Sequence, residues 1–81
     1  MSNGELARMI EVIAKSLVDD PNQVSVEEKL GENTIVIALK VAKADIGKII
    51  GKEGKTAKAI RTILLGAATK LKCRAVMEIV E

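Results

Sequence analysis

The sequence predicts an α+β fold in the order helix, strand, strand, helix, helix, strand, with a three-stranded sheet carrying all three helices on one face. Three observations predict it. Apolar residues recur at helical spacing over 5–18 and again over 54–72, they switch to a period of two over 24–30, and a β-branched run apolar on both faces follows over 34–41. Only one sheet with every helix on the same side buries all of these stripes together. At 81 residues the chain has room for one compact domain, residues 1–81, which buries roughly 60% of its unfolded surface.

Residues 5–18 place Leu6, Ile10, Ile13, Ala14 and Leu17 on one stripe, with Glu5, Arg8, Glu11 and Lys15 outside it. Asp19-Asp20-Pro21-Asn22 ends this helix, because proline cannot continue it and the residue before proline avoids helical angles. From Val24 to Leu30 apolar and polar residues alternate in the manner of a half-buried edge strand. Gly31-Glu32-Asn33 supplies turn chemistry, and Thr34 to Val41 is β-branched and apolar on both faces, as a central strand requires. The two strands form a hairpin. Asp45 is placed to cap a short helix whose Ile46, Ile49 and Ile50 share a face and which Gly51 interrupts. The next helix runs from about Gly54 to Lys72 with Ala57, Ile60, Ile63, Leu64, Ala67 and Leu71 inward. Arg74 to Val80 is the third strand.

Composition narrows the function. Apolar residues make up 48% and charged residues 30% of the chain, the balance of a folded soluble domain. No apolar run reaches the roughly 20 residues that span a bilayer, and Met1 to Gly4 does not lead into an export signal, so a cytoplasmic location and no membrane contact are expected. Cys73 is the single cysteine and there is no histidine, which leaves no disulfide, no metal site and no cofactor to expect. Without a constellation of acid and base groups the chain does not read as an enzyme. Its net charge of +2 conceals a division. Residues 1–39 hold three cations against seven acids, whereas residues 40–74 hold ten against two. A basic half of this kind is the footprint of a polyanion binder.

The stretch Ile46-Gly47-Lys48-Ile49-Ile50-Gly51-Lys52-Glu53-Gly54-Lys55-Thr56-Ala57 carries the chemistry. Two glycines flank a polar pair, and the second opens a helix whose first N–H groups have no partner inside it. The missing Cβ atoms allow a sharp turn and close approach of a phosphodiester. The helix dipole favours an anion there, with Lys48, Lys52, Lys55, Lys58 and Arg61 nearby in sequence.

Ile49-Ile50-Gly51-Lys52-Glu53-Gly54 followed by Ile60 resembles the signature of the KH domain, whose GXXG loop clamps about four nucleotides of single-stranded nucleic acid. The element order resembles the type II, bacterial form over essentially the whole chain. Length and the continuation Lys55-Thr56-Ala57-Lys58-Ala59-Ile60-Arg61-Thr62 resemble the small stand-alone bacterial members, the KhpA family. That resemblance implies single-stranded RNA binding and a post-transcriptional RNA-chaperone role. It also implies a homodimer or a heterodimer with KhpB, and a link to cell-wall homeostasis and cell shape. It places the clamp on Gly51, Lys52, Glu53 and Gly54, and an apolar groove floor on Ile46, Ile49, Ile50, Ala57 and Ile60, with Thr34 to Val41 as the far wall. Many KH domains have a larger aliphatic residue where Ala57 stands, so a shallow groove and low sequence specificity are expected. The lack of Phe, Tyr and Trp removes RRM and OB-type surfaces, which stack bases on aromatic rings.

Three rivals remain to be weighed. Gly54-Lys55-Thr56 resembles the tail of a P-loop, but that pattern needs glycine where Ile49 stands. A helix-turn-helix DNA-binding domain would use residues 54–65 as its recognition helix, against the strands on either side. A protein–protein interaction module would use exposed apolar residues such as Leu65 and Val12.

Overall fold

The structure is a computed structural model and describes residues 4–80; Met1 to Asn3, part of the segment read for an export signal, and Glu81 lie outside the described residues. The chain folds as α1 (Glu5–Leu17), β1 (Ser25–Leu30), β2 (Thr34–Lys40), α2 (Ile46–Ile50), α3 (Lys55–Lys70) and β3 (Arg74–Val80), the order the periodicities predict. Short 3-10 turns at Pro21–Gln23, Lys43–Asp45 and Lys52–Gly54 join these elements.

The sheet order is β1-β2-β3, so β2 is central and β1 is an edge. β1 runs antiparallel to β2, with Val26 opposite Leu39, Glu28 opposite Ile37 and Leu30 opposite Ile35. β3 runs parallel to β2, with Ala75, Met77 and Ile79 beside Ile35, Ile37 and Leu39. Because strand side chains alternate, these residues share one face, and it is the face against which α1 and α3 lie. Leu6, Ile10 and Ala14 of α1, Ile49 of α2, and Ile60, Leu64 and Ala68 of α3 close over Ile35, Ile37, Leu39 and Met77 to form one core. The hairpin turn is tight because Asn33 adopts a left-handed φ of 64° and the Gly31 N–H donates to the Thr34 carbonyl at 2.8 Å.

Four expectations need correction. Leu17, Leu30 and Ile63 carry the periodicity but are 38%, 63% and 51% exposed. Leu17 and Leu30 are the last residues of α1 and β1, where a stripe runs past what it packs on. Ile63 lies on the flank of α3, and Ala68, absent from the expected stripe, takes the inward place instead. Asp45 precedes α2 but makes no side-chain cap; its carboxylate is turned toward another segment and is buried. Among the described residues no helix is long and apolar enough to cross a membrane.

Candidate nucleic-acid interface

The glycine turn sits between α2 and α3 as the sequence places it, and its two glycines have different reasons to be there. Gly51 ends α2 with its N–H donating to the Gly47 carbonyl at 2.8 Å, and it holds φ 78° with ψ 175°. A Cβ at this position would meet Thr56, coming within 2.6 Å of its Cβ and 2.9 Å of its backbone nitrogen. Thr56 therefore occupies the space that an ordinary side chain at residue 51 would need. Gly54 is left-handed at φ 75° and ψ 10°, and a Cβ there would meet open space. Its glycine requirement comes from backbone angle alone.

Between them, Lys52 and Glu53 are exposed, and Glu53 is itself left-handed at φ 58°. The Gly54 N–H donates to the Gly51 carbonyl at 3.1 Å, so the turn closes on itself and presents both side chains outward. No side chain caps the N-terminus of α3. The Lys55 N–H is taken by the Lys52 carbonyl, and the amides that follow it in the first turn have no side-chain cap, with the positive end of the helix dipole behind them. Lys55 reaches Glu53 at 3.7 Å, but both side chains are largely exposed, and such a pair is weak enough to yield to a phosphate. Lys58 and Arg61 follow on the exposed surface of α3.

Not every expected residue joins them. Lys48 is committed elsewhere: its ammonium contacts Asp19 at 3.2 Å and Asp45 at 3.7 Å. The hydrogen bond and charge of Asp19 raise the Lys48 pKa above its ordinary 10.5, with Asp45 adding to the effect. Asp45 in turn accepts the Asp20 backbone N–H at 3.1 Å. Lys48 thus links the segment after α1 to the start of α2. Ile49 is completely buried and Ala57 is 4% exposed, so these two support the turn from beneath and cannot touch a ligand. Ile46 and Ile50 are half-buried. β2 is the central strand and its Ile35, Ile37 and Leu39 are sealed in the core, whereas α3 rests on β3.

Sequence reasoning missed Thr56 and the Asp19–Lys48–Asp45 cluster. Thr56 could have been found as the residue whose bulk a glycine five positions earlier accommodates. The cluster joins residues 29 positions apart, Asp19 and Lys48, and leaves no local signature. The helix-turn-helix reading fails on this geometry, because residues 54–65 belong to a helix packed on a three-stranded sheet.

Comparison with known proteins follows the same lines. The family profile described as "KhpA/KhpB, KH domain" matches residues 7–79. RNA-binding protein KhpA of Clostridium acetobutylicum is 52% identical over 75 residues, covering 93% of this chain and 100% of that protein. The protein of the same name from Chlamydia trachomatis serovar D is 49% identical over 76 residues, covering 94% and 97%. Among solved structures, Aquifex aeolicus Era bound to GDP and aluminium fluoride superposes with a TM-score of 0.58 at 23% identity. That match covers 91% of this chain and 29% of Era, and it is a likeness of fold.

Proposed function

The chain belongs to the KhpA/KhpB KH-domain family, and on that premise we propose that this single KH domain, residues 1–81, holds single-stranded RNA by its phosphates at Gly51-Lys52-Glu53-Gly54. The protein is a binder of RNA and not an enzyme, as its similarity to proteins named RNA-binding protein KhpA supports. One observation carries the assignment of the site: the uncapped start of α3, entered through two positive-φ glycines and flanked by exposed Lys52, Lys55, Lys58 and Arg61. A phosphate settling there would accept from backbone amides and meet cations without any base being read. The absence of aromatic residues supports weak sequence preference.

In this reading the protein is a cytoplasmic RNA chaperone acting post-transcriptionally, in a homodimer or with KhpB, in the service of cell-wall homeostasis and cell shape. Pairing would raise the effective affinity of a domain that contacts few nucleotides. The test is a salt-dependent titration of single-stranded RNA, single-stranded DNA and duplex DNA. Single-stranded RNA should bind best, with a log–log salt slope of about −0.7 for each phosphate neutralised. A preference for duplex DNA, or a response flat in salt, would refute the proposal.

A further inference from the structure

At the opposite end of α3 from the glycine turn lies an open cleft of about 710 Å³ between the end of α3, the start of β3 and the β1–β2 hairpin. We infer that this cleft is a second contact for the same RNA strand, taking a nucleotide beyond those held at the turn; the inference rests on the reading of the turn as the RNA grip.

Three observations on the cleft support this. The first is charge. Lys72 and Arg74 line the cleft and no acid does. Between Gly54 and Met77 the chain contains six cations and not one Asp or Glu. The second is continuity. Gly54, Lys58, Arg61, Leu65, Thr69 and Lys72 succeed one another at intervals of three or four residues and therefore follow one flank of α3. None of them is buried, and the last two line the cleft. α3 has 16 residues, so the track is roughly 24 Å long and leads from the turn to the cleft. The third is the floor. Leu30 lies on the helix-facing side of the sheet opposite Ile35, yet is 63% exposed, and both line the cleft beside the polar side chains of Asn33 and Thr69. An apolar floor with hydrogen-bonding edges suits a nucleobase, and Lys72 and Arg74 suit its phosphate.

The cap of α3 sharpens the chemistry. Lys72 holds a left-handed φ of 61° at the position where helices favour glycine, so a cationic side chain is kept where backbone preference would remove it. The last carbonyls of α3 are already bonded, those of Ala67, Ala68 and Thr69 accepting from Leu71, Cys73 and Lys72. The cleft therefore acts through side chains, unlike the turn at the other end.

The experiment measures binding of oligouridylates of about four and about ten nucleotides, the shorter matching the clamp alone. The protein is wild type, Lys72→Gln with Arg74→Gln, and a charge-matched control, Lys15→Gln with Lys29→Gln. The cleft variant should lose about tenfold in affinity for the longer oligomer and flatten its salt slope by about one unit, with less than about twofold change for the shorter. The control should change neither. In the wild type the longer oligomer alone should slow alkylation of the half-buried Cys73 in the cleft. Arg74→Gln by itself gives the same test should Lys72→Gln disturb the cap. The inference is overturned if cleft and control variants behave alike on the longer oligomer, or if RNA leaves Cys73 alkylation unchanged. It is equally overturned if the cleft variant loses self-association instead of RNA. Loss of short-oligomer binding on changing the turn, with the length effect absent, sinks the cleft and spares the turn. Failure of the wild type to bind the short oligomer, with longer-oligomer binding still dependent on Lys72 and Arg74, does the reverse.

Discussion

The two ends of α3 use the same backbone device to opposite ends. At its C-terminus the left-handed Lys72 folds the chain back so that the Lys72 and Cys73 N–H groups bond the Thr69 and Ala68 carbonyls, both at 3.0 Å. The helix keeps its polar groups to itself there. At its N-terminus the left-handed Glu53 and Gly54 turn the chain in from α2, and no side chain returns to cover the helix start. At the C-terminus the last carbonyls are closed by the main chain, whereas at the N-terminus main-chain bonds reach only as far as the Gly54 and Lys55 N–H groups and no side chain covers the amides after them. A helix end becomes available to an anion through what fails to cap it as much as through the charge around it.

The comparison is broken most severely by filling the open end. Gly51→Ala should destabilise the protein by about 2–3 kcal/mol, because it adds a positive-φ penalty of about 1–2 kcal/mol to a collision with Thr56. RNA affinity should fall with it. Gly54→Ala meets only open space and should cost about 1–2 kcal/mol. Denaturant melts giving equal losses for the two would show that Thr56 does not set the shape of the turn.

A purely chemical change at the same end comes next. Lys52→Asp with Glu53→Asp should weaken single-stranded RNA binding by about tenfold or more while leaving circular dichroism and melting temperature nearly as they were, since both side chains are exposed. Retained affinity in the folded variant would move the grip elsewhere.

At the closed end, Lys72→Gly should be stabilising by roughly 0.5 kcal/mol, the relief of φ 61° outweighing the added freedom of the unfolded chain. A loss of stability would mean that the Lys72 side chain supports the cap directly. The smallest effect belongs to Lys48, whose raised pKa means that its pairing stabilises the fold at neutral and mildly alkaline pH, below 10.5. That contribution should fade as pH climbs above 10.5 through the raised value, and the alkaline limb should be shallower in Lys48→Gln.

Legibility in the sequence followed the range of the interaction. α1, the hairpin, β3 and the glycine turn were readable because each is set by residues close in the chain: a stripe, an alternation, a proline, a pair of glycines. Leu30 and Ile63 misled because periodicity marks a face without saying how far its cover extends. β2 is the central strand, as its β-branched run apolar on both faces predicts. Lys48 looked like one more cation near the turn; only the fold brings Asp19 within reach of it. Ile49 and Ala57 belong to the motif, but their contribution is burial, which a motif cannot distinguish from contact.

β2 and β3 are neighbours and parallel, yet their paired residues, such as Ile37 and Met77, are forty positions apart, with α2, the turn and α3 between them. On a ribosome, which lengthens chains at about 5–20 residues per second, the turn is synthesised before the strand on which its supporting helix rests. Until that strand arrives α3 lacks its bed, and Ile60 and Leu64 lack part of the core that fixes them. A growing chain thus carries the two glycines before the core that fixes their posture is complete.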